Sequence, residues 1–410
     1  MSLAQKADAS APVIVEVARS GAAQTTALGI LFAVSGSHML NDMMQSLAPA
    51  LYPVFRDQYS LSFFQTGIIT FTFQLTASLL QPLIGLYTDR RPVPYGLPFA
   101  MGFTLVGLLA LAFSSSYPTL LASVALIGIG SAIFHPEASR VARAASGGRF
   151  GFAQSVFQVG GNFGSSLGPL MAAFIVVPGG QKSVLAFTVL AFFAILLLTR
   201  AATWHIAHRA QRKGAAAAPK SDLPHNVVVR SIAILVVLLF SKTFYMAGLS
   251  SYYTFYLMQT FDVTLQSAQV LLFVFLGAVA VGTFFGGPIG DRVGRKVVIW
   301  GSILGVLPFT LALPWLGLTG TVIDTIAVGL VLSSAFSAMV VYAQELAPGN
   351  VGAIAGLFFG LSFGLGGIGA AALGFLADMT SLTFVYRVCA FLPAIGLLTY
   401  FLPDTHKPRA

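Results

Sequence analysis

The sequence GLYTDR at residues 85–90 occurs again, about half the chain later, as GPIGDRVGRK at residues 287–296. Each copy closes a long apolar segment with a charged turn. Because the same turn occupies the same place in each half, the sequence indicates a duplicated protein. Internal repeats of this kind are typical of membrane proteins of the secondary-transporter type.

The composition excludes an ordinary soluble protein. Hydrophobic residues make up 56% of the 410-residue chain and charged residues only 9%, whereas soluble domains carry roughly 25% charged residues. Apolar runs near the roughly 20 residues that a helix needs to cross a bilayer recur along the chain. They are continuously apolar and do not alternate, so they predict helices and not a β-barrel.

We therefore predict an all-α integral membrane protein with twelve transmembrane helices in two pseudo-symmetric six-helix bundles. The predicted spans are 25–52, 62–88, 96–114, 117–143, 150–177, 182–204, 230–258, 266–290, 296–316, 322–345, 350–377 and 382–402.

The longest polar interruption divides the chain in two. Its Ala, Pro and basic residues predict a flexible cytoplasmic linker between the bundles. The predicted organisation is a cytoplasmic tail (1–24), a first bundle (25–204), the linker (205–229), a second bundle (230–402) and a second cytoplasmic tail (403–410).

The formal net charge of +9 would suggest nucleic acid as the partner of a soluble protein. With a cytoplasmic N-terminus, however, only Arg56 and Lys182 among the basic residues fall on outer loops, as the positive-inside rule expects. The charge therefore predicts topology, with both termini cytoplasmic, and no nucleic-acid partner. Cys389 is the only cysteine, so no intrachain disulfide can form.

Ionisable side chains inside a bilayer are costly, and those that occur there usually face a cavity and serve a function. Asp42 lies well inside the first span, and His38 is one helical turn earlier on the same face. Such a pair can exchange a proton with water. We predict a proton-coupling role for both residues, with hydrogen bonding of Asp42 to a neighbouring helix as the alternative.

His135 and Glu137 flank Pro136 near the inner end of the fourth span, and both are further candidates for proton coupling. The alternative for Glu137 is an ion pair with Arg140 or Arg143, and both roles remain open. We do not expect His135 and Glu137 to form a metal site, because side chains two positions apart on a helix do not converge.

Two basic residues fall within predicted spans of the second half: Lys242 in the middle of the seventh span and Arg387 near the start of the twelfth. A cation facing a cavity attracts an anionic substrate. The alternatives are a structural ion pair, with Asp42 as the partner of Lys242, and extension of Arg387 to the outer interface.

Further substrate contacts are predicted on the fifth and seventh spans. Gln154, Gln158 and Asn162 repeat every four residues and form one polar stripe, which lipid would disfavour. Tyr245 and Tyr253 are candidates for lining the path, with packing as the alternative.

Small residues on the fifth span predict helix packing. Gly160, Gly164 and Gly168 recur every four residues and would let a neighbouring helix approach closely, and Pro169 follows the last of them.

The charged turns predict a cytoplasmic gate. A carboxylate there can accept hydrogen bonds from a facing helix N-terminus or a basic side chain in one conformation and release them in another. The alternative is a turn that only fixes topology. The predicted gate residues are Gly85, Asp89, Arg90, Arg140, Arg143, Gly287, Asp291, Arg292, Gly294, Arg295 and Lys296.

Twelve spans, a central basic loop and the paired turns resemble the major facilitator superfamily. The second turn is close to the full loop signature of that superfamily, while the first departs from it at residues 91–94. Three further segments are similar to the fosmidomycin resistance protein family of bacterial drug efflux transporters. They are HMLNDMMQSL at 38–47, FHPEASRVAR at 134–143 and QSVFQVGGNFGSSLGP at 154–169.

This resemblance implies proton-coupled export of fosmidomycin-like drugs, which are anionic phosphonates, across the bacterial inner membrane by alternating access. It implies a monomer without a cofactor, energised by the proton gradient. One departure is Val124, where many drug–proton antiporters carry an Arg, so proton coupling would need other residues.

Other function classes receive less support. The sequence contains no phosphate-binding Gly-x-x-x-x-Gly-Lys loop, no His-Glu-x-x-His and no Gly-x-Ser-x-Gly, so neither direct use of ATP nor an enzyme is predicted. The alternative function is a proton-coupled importer of a small anionic metabolite that uses the same residues.

Overall fold

The structure, a computed structural model, describes residues 26–47, 55, 58–61, 63–211 and 223–404. The predicted N-terminal tail, Arg56 and the C-terminal tail beyond Asp404 lie outside these residues. Within them the chain is almost entirely helical and contains no strand.

The described helices form twelve segments. In the first half they are α1 (Leu28–Gln45), α2 (Phe63–Arg90), α3 (Gly96–Ala112), α4 (Tyr117–Ala144), α5 (Phe150–Met171) and α6 (Leu185–Gln211). In the second half they are α7 (His225–Phe261), α8 (Leu265–Val293), α9 (Arg295–Ile303 and Leu307–Ala312), α10 (Leu318–Ser333 and Ala335–Leu346), α11 (Val351–Met379) and α12 (Leu382–Cys389, followed by 3-10 helix Leu392–Phe401).

Eight of the described helical segments are long and apolar enough to cross a membrane, and α3 is a shorter apolar helix. The remaining segments, α1, α2 and α5, contain more polar side chains, among them His38, Asp42, Gln81 and Gln158. The predicted all-α fold with twelve transmembrane helices is confirmed.

The two halves meet through equivalent pairs of helices. α2 packs against α11, and α5 packs against α8, so each half contributes its second and fifth helices to the interface. Within the first half α1 packs against α5, and α3 packs against α4 and α6. The turns after α2 and α8 lie at the same end of this interface, which we call the charged end.

The linker predicted over 205–229 overlaps the ends of two helices. α6 continues to Gln211 and α7 begins at His225, so both ends of the predicted linker are helical. A helix can continue past the apolar run because polar and basic side chains such as His208 and Arg209 are favourable in its last turn, next to the exposed carbonyl groups. The end of the apolar run is therefore not the end of the helix.

Candidate functional site

Three titratable side chains meet inside the first half. On α1, the Nε2 atom of His38 lies 3.3 Å from Oδ2 of Asp42. α4 crosses α1 and places Nε2 of His135 3.6 Å from Oδ1 of Asp42 and 3.2 Å from Nε2 of His38. We call these three residues the triad. All are buried, and Asp42 retains 6% exposure.

Backbone carbonyls fix the orientation of both imidazole rings. Nδ1 of His38 lies 2.8 Å from the carbonyl oxygen of Phe157, and Nδ1 of His135 lies 2.9 Å from that of Ser131. A carbonyl only accepts hydrogen bonds, so each Nδ1 carries the hydrogen, and each neutral ring presents the lone pair of Nε2 to the triad. Two lone pairs and a carboxylate converge there, an arrangement suited to holding a positive charge.

Aromatic rings enclose the triad. His38 stacks on Phe157 with ring centroids 4.1 Å apart. Phe359 of α11 lies 5.1 Å from the ring of His135, and Phe363 lies 5.2 Å from it. Because α11 belongs to the second half, any movement of the halves relative to each other changes the cover over the triad.

A cavity of about 170 Å³ lies between the halves and reaches the triad. His38 and Asp42 line its wall in the first half, and Lys242 of α7 lines its wall in the second half. The ammonium group of Lys242 lies 5.4 Å from the ring centroid of Phe336. No side chain among the described residues forms an ion pair or hydrogen bond with Lys242, so its charge is available to a bound anion.

The predicted amide stripe is only partly in this cavity. Gln158 and Asn162 line it. The side chain of Gln158 donates to that of Asn162 at 3.2 Å, and Asn162 donates to Thr283 of α8 at 3.0 Å. A second cavity, of about 550 Å³, lies farther from the charged end. It is lined by Asn162 and by Thr243, the residue after Lys242.

Four predicted substrate contacts lie elsewhere. Gln154 is buried and accepts a hydrogen bond from Ser139, closer to the charged end. Tyr245 and Tyr253 are buried within the second half and do not line the cavity of the triad. The exposed Arg387 lies over the ring of Trp315. Sequence alone did not reveal which of these side chains reach the space between the halves.

Glu137 is separate from the triad, although His135 is two residues away. Its carboxylate forms an ion pair with Arg140, which also pairs with Asp89 of α2 at 2.6 Å. This geometry favours the ion-pair alternative for Glu137. The two side chains diverge because positions two apart on a helix point in different directions.

Both turn carboxylates bind a helix N-terminus of the opposite half. Asp89 of α2 accepts hydrogen bonds from the backbone N–H groups of Gly352 and Ala353 at 3.0 and 2.8 Å, at the start of α11. Asp291 of α8 accepts those of Gly151 and Phe152 at 3.0 and 2.8 Å, at the start of α5. The unpaired N–H groups and the helix dipole both favour a carboxylate at this position.

Glycines allow the helices to approach at these contacts. A Cβ atom built on Gly85 would overlap the carbonyl of Gly352, and one on Gly287 would overlap the carbonyl of Gly151. Gly294 ends α8 with φ of 97°, a conformation that glycine adopts without strain. The charged end is therefore closed by backbone contact as well as by charge.

The basic gate candidates differ in their surroundings. Arg295 pairs with Asp291 at 2.6 Å, and Arg143 donates to Gln344 of α10 at 3.2 Å. Lys296 donates to the carbonyls of Tyr400 and Leu402 near the C-terminal end of α12, within the second half.

Arg90 and Arg292, by contrast, are exposed, and no described residue forms an ion pair or hydrogen bond with either side chain. Of the two charged residues in each Asp-Arg turn, the carboxylate makes the contact between the halves. The arginine that follows it in sequence does not.

The glycine stripe of α5 faces α1. A Cβ atom built on Gly160, Gly164 or Gly168 would overlap atoms of Ser35, Met39 or Ser46 respectively. The side chain of Pro169 lies outside the described part of the structure.

One buried carboxylate was missed by the sequence analysis. Asp324 of α10 is 7% exposed, and its Oδ2 has no hydrogen-bond partner among the described residues. An acidic residue within an apolar run was the available signal. It does not line the cavity of the triad.

Comparison with known proteins identifies the family. The sequence pattern of the Major Facilitator Superfamily matches residues 34–371. The chain belongs to this superfamily. It is 57% identical to the fosmidomycin resistance protein of Escherichia coli (strain K12), across 93% of this chain and 95% of that protein. It is 43% identical to the uncharacterized MFS-type transporter YfnC of Bacillus subtilis (strain 168), across 94% and 95%.

Solved structures show the same superfamily fold. The crystal structure of the transporter FucP in the outward conformation matches with a TM-score of 0.70 and 15% identity, across 92% of this chain and 99% of FucP. The human organic anion transporter MFSD10 matches with a TM-score of 0.68 and 17% identity, across 92% and 99%. The chain is thus a multi-pass membrane transporter of the Major Facilitator Superfamily.

Proposed function

We propose that this transporter exports fosmidomycin-like, anionic phosphonate drugs from the cytoplasm in exchange for protons. It would act as a monomer in the bacterial inner membrane, with both termini cytoplasmic and no cofactor. The observation that carries the proposal is that His38 and Asp42 of the triad and the unpaired Lys242 line one cavity between the two halves. A proton site and an anion site are thereby exposed together when the halves move.

Lys242 provides the anion site. Its ammonium group has no anionic partner among the described residues, and Gln158 and Asn162 add amide groups to the same cavity. A phosphonate binds such groups through charge-assisted hydrogen bonds. The triad provides the proton site, because one proton can be held among two Nε2 lone pairs and the Asp42 carboxylate.

The charged end provides the gate. With Asp89 and Asp291 bound to helix N-termini of the opposite half, this end is closed, and the larger cavity lies toward the other end. If the termini are cytoplasmic, this arrangement faces outward. Release of both contacts would open the cytoplasmic side, which is the alternation that a secondary transporter requires.

The direction of transport rests on the high identity to a protein named for fosmidomycin resistance. A cell becomes resistant to a drug with a cytoplasmic target when the drug is removed from the cytoplasm. An inward proton gradient can drive that removal when proton uptake on the outside and drug uptake on the inside alternate in one cavity.

A proton-coupled importer of a small anionic metabolite is the second candidate. One observation favours it: His38 and Asp42 share a cavity with Lys242, so a proton on the triad adds positive charge near a bound anion. Electrostatics alone would then favour binding of proton and anion together, as in a symporter.

Everted membrane vesicles distinguish the two. In vesicles with an acidic interior, addition of fosmidomycin outside should dissipate part of the pH gradient if the protein exchanges drug for protons. An importer would leave the gradient unchanged. Asp42→Asn should abolish the response, whereas Asp324→Asn, a matched change of a buried carboxylate outside the cavity, should retain it. A full response with Asp42→Asn would remove the triad from the mechanism.

A further inference from the structure

The triad also has the geometry of a metal-binding site. The two Nε2 atoms lie 3.2 Å apart, and the Asp42 carboxylate places Oδ2 3.3 Å from His38 and Oδ1 3.6 Å from His135, so one ligand atom of each residue lies within 4.8 Å of the other two. With metal–ligand bonds of about 2.0–2.1 Å, the ligand atoms of a tetrahedral Zn²⁺ site are separated by about 3.3 Å. Small rotations of these side chains would bring one ligand atom of His38, His135 and Asp42 each to an ion placed among them, with the helices in their present positions.

The groups behind these ligands are those that metal sites use. Histidine ligands usually donate the other ring N–H to a carbonyl or carboxylate, which fixes the ring and makes the coordinating nitrogen available. His38 does so to Phe157 and His135 to Ser131. The side-chain amide of Asn41 donates to Asp42 Oδ1 at 3.1 Å. Two imidazoles and a carboxylate, each oriented by a second residue, form a built site.

The fourth coordination position faces the cavity. His38 and Asp42 line the cavity of about 170 Å³, with Lys242 on the opposite wall. A divalent ion with one carboxylate and two neutral imidazoles keeps a net positive charge, and the ammonium group adds another. This positive surrounding suits water or an anion as the fourth ligand.

We infer that the triad binds a divalent transition-metal ion such as Zn²⁺, with water or an anion from the cavity as its fourth ligand. This site was not predictable from the sequence, because its ligands come from two helices and are far apart in the chain. The inference that the triad binds the ion depends only on the geometry of its three residues. Its consequence rests on the proposed function: a bound ion occupies the position of the coupling proton and blocks exchange.

Titration calorimetry of the purified transporter with ZnCl₂, in detergent and with a purification tag that contains no histidine, tests the binding. We expect one Zn²⁺ per chain. Either His38→Gln or His135→Gln should weaken it by on the order of 100-fold or more, since loss of a group that merely supports a ligand already costs about 10–100-fold. His225 is an exposed histidine at the start of α7 and is not part of the triad. His225→Gln should therefore leave the affinity unchanged.

Cobalt provides a readout that does not depend on transport. Co²⁺ bound in a four-coordinate site gives strong visible absorption bands, which should appear with the wild-type protein and with His225→Gln. They should be absent with His135→Gln, while the thermal melting of each variant establishes that it is folded. Undiminished Zn²⁺ binding by both triad variants, or no binding at micromolar Zn²⁺, would overturn the inference.

The same preparations separate this inference from the proposed function. If Zn²⁺ binds the triad but drug-induced proton release in everted vesicles is the same with and without Zn²⁺, the metal site stands and the proton role of the triad fails. If Zn²⁺ does not bind and Asp42→Asn abolishes proton release, the metal site fails and the proposed function stands.

Discussion

Lys242 is the residue at which substrate binding can be tested apart from proton coupling. It lies on the opposite side of the cavity from the triad and has no ion-pair partner among the described residues. Removal of its charge therefore breaks no internal salt bridge. A loss of anion affinity on substitution would report directly on the contact between ammonium and substrate.

We predict that Lys242→Gln weakens fosmidomycin binding by about tenfold to a hundredfold, since a hydrogen bond to a charged group contributes about 1.5–3 kcal/mol. Lys242→Arg should retain part of the affinity because the charge remains. Calorimetry on the purified protein measures both. Lys182→Gln removes an exposed lysine away from the cavity and serves as the control. Equal affinity in Lys242→Gln and wild type would place the anion site elsewhere.

At the residue scale, the sequence identified two members of the triad. His38 and Asp42 were paired correctly by their spacing, because residues four apart on a helix always share a face. The meeting of His135 with this pair was not predictable, since it depends on how α4 crosses α1. The same limit applies to Tyr245 and Arg387, which lie in the predicted spans but do not line the cavity.

At the scale of helices, the contact between α1 and α5 holds the site together. Phe157 of α5 supplies the carbonyl that orients His38 of α1. Close approach of these helices depends on small residues, because bilayer lipid provides little hydrophobic drive for one helix to pack on another. The period of four among Gly160, Gly164 and Gly168 predicted such a packing face. It did not identify α1 as the partner.

We predict that Gly164→Ala destabilises the protein, because the added methyl group would overlap the carbonyl oxygen of Met39. Overpacking of this kind costs about 1–3 kcal/mol. Gly36→Ala on α1 is the matched control, because nothing lies within 4 Å of its Cβ position, and alanine is favoured in helices by up to about 1 kcal/mol. Thermal melting in detergent should fall for Gly164→Ala and stay level or rise for Gly36→Ala. The same melting temperature for both would mean that the helices can separate at no cost.

At the scale of the whole molecule, two equivalent contacts close one end. Asp89 and Gly85 of α2 meet α11, and Asp291 and Gly287 of α8 meet α5. The duplicated turns predicted a gate with equivalent parts in both halves, because the same residues recur at the same place in each half. Their partners, the N-termini of α5 and α11, required the structure.

This duplication gives a prediction about conformation. A valine at either Gly85 or Gly287 would force its side chain into the backbone of the opposite half, so both variants should open the charged end. Cys389 is the only cysteine, so a Cys389→Ser background allows spin labels at Arg91→Cys and Val293→Cys, one in each half. The distance between the labels should increase in both valine variants. In Gly301→Val, where the Cβ position contacts nothing, it should not change.

The two halves should respond alike because each gate contact has the same composition, a carboxylate on helix N–H groups beside paired glycines. A shift from a closed to an open majority requires a change of a few kcal/mol in the balance between the states. A valine clash with backbone can supply that much, since the backbone cannot turn away as a flexible side chain would. If only one of the two variants opened the charged end, the contacts would be unequal, and a gate formed by a single pair of helices would replace the symmetric one.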